Sequence, residues 1–280
     1  MTRTALVTGT SSGIGLETAV ALSLAGFEVV ATMRNLARRE HLDARAAATG
    51  VVLDVRELDV ESQPSVLACI NTVLERYGQI DLLVNNAGSG YLGAMEQTSD
   101  ATLQRVMDVN FFGVWRLTQA VLPSMRRAGS GHIISVTSIG GLLGQPFNDA
   151  YCASKFAVEG FMESLAPVAK RLGISISLIE PGAVHSEFVA SVMDTSEHLT
   201  PELQDAYGDM LNAYTTAASQ TYEMVGQTSA DVATCIAMVA TTATPHFRYQ
   251  TSELIRGIVA RKYVDPTGES VVALVGARLP

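Results

Sequence analysis

The chain has 280 residues, 28 of them acidic and 19 basic, for a formal net charge of −9. That balance argues against nucleic acid or an anionic membrane surface as a partner. Cys69, Cys152 and Cys235 are scattered without metal-ligand spacing, so no metal is expected and a reduced, cytoplasmic setting is the reading. No apolar run approaches the ~20 residues of a membrane span. The first strand begins too early to leave room for a signal peptide. With no linker or repeat dividing the sequence, one α/β domain over 1–280 is expected.

Residues 4–7 are a short apolar run read as a strand, leading into Thr8-Gly9-Thr10-Ser11-Ser12-Gly13-Ile14-Gly15. A helical pattern over 16–25 follows, closed by Gly26, and then a second apolar strand over 27–32. Strand, glycine-rich turn, helix, strand is the arrangement that binds dinucleotides. Gly9 permits the tight turn, Gly13 lets the backbone approach a pyrophosphate, and Gly15 allows close helix–strand packing. The anion would rest on the helix N-terminus. The second strand ends Ala31-Thr32-Met33-Arg34, with no acid to bond a ribose 2′-hydroxyl. Arg34, helped by Ser12, suits a 2′-phosphate, so NADP(H) is expected over NAD(H). Arg38 and Arg39 read as a solvated face.

Strands over 55–60, 80–84, 133–136 and 174–179 alternate with helices over 65–77, 101–125 and 151–172. This is the pattern of a doubly wound parallel sheet. The 101–125 helix reads as one continuous amphipathic stretch. Pro167 is expected to kink the 151–172 helix or end it early, and Asn148 and Asp149 are read as its caps. Tyr151 and Lys155, four residues apart, share one face of that helix. A cation beside a phenol lowers its pKa from about 10, and a phenol so tuned can pass a proton to or from a carbonyl or alcohol oxygen. Ser138, just beyond the 133–136 strand, can hydrogen-bond the same oxygen.

The Thr8–Gly15 run, Asn85-Asn86-Ala87-Gly88 and Tyr151-Cys152-Ala153-Ser154-Lys155 stand in the order and spacing of the short-chain dehydrogenase/reductase family, which the chain resembles over residues 1–190. The stretches 140–156 and 159–166 resemble the 17β-hydroxysteroid dehydrogenase and retinol dehydrogenase branch, as do His246-Phe247-Arg248-Tyr249 and Asp265-Pro266-Thr267-Gly268 more loosely. The resemblance implies a Rossmann fold with a helical substrate lid, here 187–222. It assigns catalysis to Asn110, Ser138, Tyr151 and Lys155. Asn110 would hold a water that links the lysine to solvent, Ser138 would orient the substrate oxygen, and Tyr151 would be the general acid/base. Lys155 would lower the phenol's pKa and, with Tyr151, bind the nicotinamide ribose. Cofactor contacts are implied at Gly9, Ser11, Ser12, Gly13, Ile14 and Gly15, at Asp59 and Val60 for the adenine, and at Asn86, Ala87 and Gly88 near the adenosine ribose. Pro181, Gly182, Val184 and Ser186 would hold the nicotinamide carboxamide. Asp54-Val55 has the form of Asp59-Val60 but a poorer spacing to Asn85. Family members pair through the two long helices, which implies a homodimer or a tetramer.

No Lys or Arg occurs between Arg171 and Arg248, whereas Glu187, Asp194, Glu197, Glu202, Asp205 and Asp209 all do. An anionic substrate would find little to pair with. Leu142, Leu143, Phe147, Tyr91, Met95 and Met193 can line an apolar pocket. The expected substrate is therefore a neutral hydrophobic ketone, aldehyde or alcohol. The alternative is a non-catalytic dinucleotide sensor or scaffold on the same fold. The steroid branch carries a substrate-binding histidine in the lid, and 212–220 has none, which counts against a steroid.

Overall fold

The computed structural model describes residues 2–187, 192 and 199–264. Its strands are β1 (Thr4–Thr8), β2 (Glu28–Met33), β3 (Asp54–Glu57), β4 (Leu82–Asn85), β5 (Gly131–Val136), β6 (Ile174–Glu180), β7 (Val184–His185), β8 (Gln227–Thr228) and β9 (Arg248–Gln250). Seven form one parallel sheet in the order β3-β2-β1-β4-β5-β6-β9, while β7 and β8 pair separately. The chain runs outward from β1 to β3 and then crosses back to β4. The order therefore reverses between β1 and β4, which opens a crevice at their carboxyl ends. This is a doubly wound Rossmann sheet.

The helices are α1 (Gly13–Leu24), α2 (Glu40–Thr49), α3 (Gln63–Tyr77), α4 (Asp100–Met107), α5 (Gly113–Ala128), α6 (Asp149–Arg171), α7 (Pro201–Val225), α8 (Ser229–Thr241) and α9 (Glu253–Val264). Strand side chains alternate between the two faces. Leu6, Leu83, Ile133 and Leu178 meet α3, α5 and α6 through Ile70, Leu117 and Met162. Val7, Val84, Ile134 and Ile179 meet α1, α2 and α8 through Leu22, Leu42 and Ile236. Both faces are covered, so every residue of β1 and β4 is buried, and an uninterrupted apolar run is what such a strand requires.

Three elements depart from the sequence reading. The strand expected over 55–60 is β3, which ends at Glu57 and leaves Asp59 and Val60 in the loop beyond it. The 101–125 stretch is not one α-helix: α4 and α5 are joined by a π-helical turn over Asp108–Phe112. Pro167 does not end α6, which continues to Arg171. One forfeited backbone bond near a helix end is offset when the flanking residues stay packed. Leu165 and Ala166 pack against the core there, and Ala169 is buried.

Candidate active site

The loops that follow β1, β4, β5 and β6 meet where the sheet order reverses. Gly9 adopts φ +70°, and a Cβ on it would stand 2.8 Å from Ala87 Cα. A Cβ on Gly15 would stand 2.1 Å from the Gly9 carbonyl oxygen and 2.4 Å from Asn86 Nδ2. Only glycine fits at either position. The Asn86 amide explains the crowding, since it donates to the Thr8 and Gly9 carbonyls at 2.8 and 3.2 Å. Thr8 Oγ1 returns the tie by accepting from the Asn86 and Ala87 N–H groups, both at 3.0 Å. The glycine turn and the segment 86–88 are thus one bonded unit.

Beside this unit lies a cleft of about 280 Å³, with Ser12, Gly13, Leu16, His185, Ser186 and Ser229 among its lining. Gly13 has φ +58°, and a Cβ there would project into the cleft, 3.4 Å from Ser186 Cβ. Ser12 precedes α1 without capping it through its side chain, so the hydroxyl leaves the first N–H groups of the helix to other partners. Ser11 is half-buried in the turn, and Ile14 packs against the core. A bare glycine cradle at a helix N-terminus fits a pyrophosphate.

Arg34 follows β2 with its side chain 72% exposed, and its Nη1 lies 3.1 Å from Glu61 Oε2. Asp59 Oδ1 accepts from the Glu61 N–H at 3.1 Å. Val60 buries its side chain in the core against Gly113, so a ligand contact there falls to its backbone. Asp54 is engaged inside the protein by Arg56 and Tyr77.

At the end of β5, Ser138 Oγ accepts from the Gly140 N–H at 3.0 Å and is hydrogen-bonded to the Tyr151 side chain. Lys155 Nζ donates to the Val136 carbonyl at 3.1 Å and lies 5.8 Å from the centroid of the Tyr151 ring. The expected depression of the phenol by this cation is not met. Burial dominates and pushes the Tyr151 phenol above its ordinary value, with the Ser138 bond opposing it. Burial also pushes the Lys155 ammonium down to about 8, against the attraction of Glu159. At neutral pH the phenol therefore holds its proton.

Asn110 sits fully buried in the π-helical turn. Its Oδ1 accepts from the Ser89 N–H at 2.8 Å, and its Nδ2 donates to the Ser89 carbonyl at 2.8 Å and to Ser154 Oγ at 2.9 Å. Ser154 Oγ in turn donates to the Tyr151 carbonyl at 2.7 Å. The amide thus ties the β4 loop to the Tyr151 helix. A Cβ on Gly88 would stand 3.3 Å from Asn110 Oδ1 and 3.6 Å from Lys155 Nζ, which places Gly88 between them. The last loop closes the circuit. The Ile139 N–H donates to the Pro181 carbonyl at 2.8 Å, a Cβ on Gly182 would strike Ile255, Val184 is buried, and Ser186 reaches Gly13.

This circuit of glycine turn, Asn-Asn-Ala-Gly segment, serine and Tyr-x-x-x-Lys helix coincides with a match of the short chain dehydrogenase family model to residues 3–197. The chain belongs to the short-chain dehydrogenase family. Among its relatives, retinol dehydrogenase 8 of Bos taurus is 43% identical over 279 residues, covering 96% of this chain and 88% of that protein. Human 17-beta-hydroxysteroid dehydrogenase type 1 is 38% identical over 273 residues, covering 95% and 83%. Actinorhodin polyketide ketoreductase, solved as a point variant with NADPH, is 30% identical with a TM-score of 0.76 over 89% of this chain and 95% of that one. A short-chain dehydrogenase/reductase of Burkholderia phymatum, solved with NAD, shares the fold at a TM-score of 0.81 and 24% identity, covering 96% and 95%.

In this short-chain dehydrogenase some expected pocket residues have other duties. Leu142 and Leu143 pack with Ile255 and Val259 under α9, Tyr91 is buried with Val106 and Ala150, and Met95 is 70% exposed. Phe147 is half-buried and adopts φ +61°. Met193, Asp194, Glu197 and the segment 265–268 lie outside the described residues. Asn148 stands at the N-cap of α6 without a side-chain capping bond; its amide donates instead to the Pro146 carbonyl and the Tyr214 hydroxyl. No helix among the described residues is long and apolar enough to cross a membrane.

Sequence reasoning misses a buried ionic cluster behind the site. Thr137 Oγ1 donates to Glu159 Oε1 at 2.6 Å, and Arg248 bridges Glu159, Glu180 and Glu163. The helical spacing that picks out Tyr151 and Lys155 reaches Glu159 at its next step. Glu61 is also missed, because it reaches Arg34 from beyond a different strand.

Proposed function

We propose that the chain is an NADP(H)-dependent oxidoreductase that interconverts a neutral, largely apolar ketone or aldehyde and its alcohol. The observation that carries this reading is the hydrogen-bonded Ser138–Tyr151 pair, with Lys155 behind it and the glycine cradle beside it. A bound nicotinamide cofactor supplies the hydride. The chain's own residues handle the proton and the orientation. Ser138 Oγ and the Tyr151 hydroxyl grip the substrate oxygen, and the protonated phenol donates as negative charge develops there. Lys155 stabilises the phenolate left behind, and the turn at Asn110 orders the water that returns the proton. The Gly9–Gly15 turn takes the pyrophosphate, Asp59 and Val60 the adenine, Asn86 to Gly88 the adenosine ribose, and Pro181 to Ser186 the carboxamide.

Arg34 supports the phosphorylated cofactor: it stands at the end of β2 where an NAD site carries an acid. Retinol and steroid dehydrogenases among the relatives support an apolar substrate. The stretch 187–222, which contains most of α7, is the substrate lid of a single nucleotide-binding domain. The half-exposed rings of Phe112, Trp115 and Phe156 on the two long helical segments suit pairing of two copies through them. Free cysteines suit a reduced, cytoplasmic setting.

The test is NADPH consumption by wild type and Tyr151→Phe against retinal, keto-steroids and simple ketones. Loss of the proton donor is expected to lower turnover by about 10²- to 10⁴-fold. Undiminished turnover in the variant would refute the assignment. NADPH binding without turnover of any carbonyl by wild type would favour the sensor reading.

A further inference from the structure

Residues 145–148 carry a hydrogen-bond relay that the chemistry above does not use, and one carbonyl sets its polarity. The Pro146 carbonyl can only accept, so the Asn148 atom 2.8 Å from it is the amide nitrogen. The same nitrogen donates to the Tyr214 hydroxyl at 3.0 Å. That hydroxyl directs its proton to Gln145, 3.3 Å away, which must present Oε1 to receive it. The NH₂ of Gln145 therefore faces the other way.

It faces the reaction centre. The point a Cβ on Gly140 would occupy lies 3.2 Å from Tyr151 Cε1, 3.3 Å from Gln145 Nε2 and 3.4 Å from Ser138 Oγ. All three groups thus border one gap that glycine keeps open. The loop is fixed from several sides to achieve this. Phe147 holds φ +61°, a conformation disfavoured for any residue with a Cβ, its carbonyl accepts from the Gly93 N–H at 2.9 Å, and its ring lies against Tyr214. Tyr214 is itself buried on α7.

The geometry points to Gln145 as a specificity-determining residue. Its amide N–H donates to a second acceptor on the substrate, a few atoms from the carbonyl held by Ser138 and Tyr151. The substrate class is then neutral carbonyl compounds bearing a second acceptor near the reacting carbon, such as β-keto esters or β-hydroxy ketones. This rests on the carbonyl-reductase reading of the site.

The test compares ethyl 3-oxobutanoate with 2-heptanone, which share a seven-atom chain and differ in the second acceptor. Wild type, Gln145→Leu and Gln145→Glu are assayed with NADPH for kcat/KM on each. Removing the donor is expected to lower the ester-to-ketone selectivity by about ten- to a hundredfold through the ester alone, because a buried polar partner is left unmatched. Gln145→Glu keeps the side chain's shape and replaces the donor with an acceptor, so it should lower the same ratio. Tyr214→Phe, which frees Oε1, should lower it less. NADPH affinity, read by fluorescence, should not change. If either ketone is too slow to follow, the two are compared as competitive inhibitors of the best carbonyl substrate. A ratio unchanged in both Gln145 variants, or an equal loss on both compounds, overturns the assignment while leaving the carbonyl-reductase reading intact. Failure of wild type on every carbonyl overturns both.

Discussion

Replacing Arg248 with methionine removes the cation on which two buried acids depend while keeping much of its packing. Arg248 Nε donates to Glu159 Oε2 at 3.2 Å and lies equally far from Glu180 Oε1. Nε carries one proton, and Glu159 takes it. Glu180 Oε1 thus has the guanidinium's charge close by but no hydrogen bond of its own. Glu180 is 0% exposed and Glu159 4%, so bulk water cannot replace the lost charge. Breaking a buried ion pair from one side costs about 3–5 kcal/mol. At about 2–3 °C per kcal/mol for a chain of this size, Tm should fall by about 6–15 °C at pH 8. The loss should also depend on pH. Burial and the neighbouring Glu159 push the Glu180 carboxyl up to about 7, with Gln250 and Arg248 opposing. An acid raised on folding binds a proton in the folded state that the unfolded chain has released. It therefore costs stability as pH climbs from about 4.5, the ordinary value, through about 7. Without Arg248 the folded value climbs further, so the deficit deepens above pH 7 and narrows near pH 5. Thermal melts of both proteins between pH 5 and 9 measure it. Equal Tm at pH 8, or a gap that widens towards pH 5, would refute the reasoning.

Three further outcomes are expected. Lys155→Met should abolish turnover yet raise Tm by a few degrees at pH 7. The buried ammonium, lowered to about 8, costs stability below that pH and relaxes between 8 and 10.5, so melts over that range should show the advantage shrinking. Gly15→Ala forces a methyl within 2.1 Å of the Gly9 carbonyl oxygen. The backbone must shift at a cost of about 1–3 kcal/mol, and calorimetry should find weaker NADPH binding; an unchanged Kd counts against the cradle. Arg34→Ala should lower the preference for NADPH over NADH by about tenfold or more. Glu61→Gln, which releases Arg34 from its 3.1 Å ion pair, should raise that preference, and both are read from paired Kd values.

Gly9, Gly13 and Gly15 are legible in the sequence because each answers a demand of the backbone itself. Tyr151 and Lys155 are legible because helical periodicity alone puts them on one face. The illegible features are set by contacts across the fold. An unbroken apolar pattern over 101–125 hides the π-helical turn, which is bonded through Asn110 to Ser89 and Ser154 on other segments. Asn148 has the residue type and position of a cap, but a carbonyl and a phenol claim its amide. Leu142 and Leu143 read as pocket lining until α9, which arrives more than a hundred residues later, covers them. The Tyr151 phenol goes up rather than down because burial outweighs the Ser138 bond, and burial is not written in a spacing of four.

The small pairing of β7 with β8 sets Val184 opposite Gln227 and His185 opposite Thr228. The chain therefore leaves and re-enters the scaffold at one place, its two ends about 5 Å apart, as neighbouring strands are. Whatever lies between is topologically a detachable cassette. Closure of such an excursion depends only logarithmically on its length. The segment between Ser186 and Gln227 can thus change length without disturbing the register of the seven-stranded sheet.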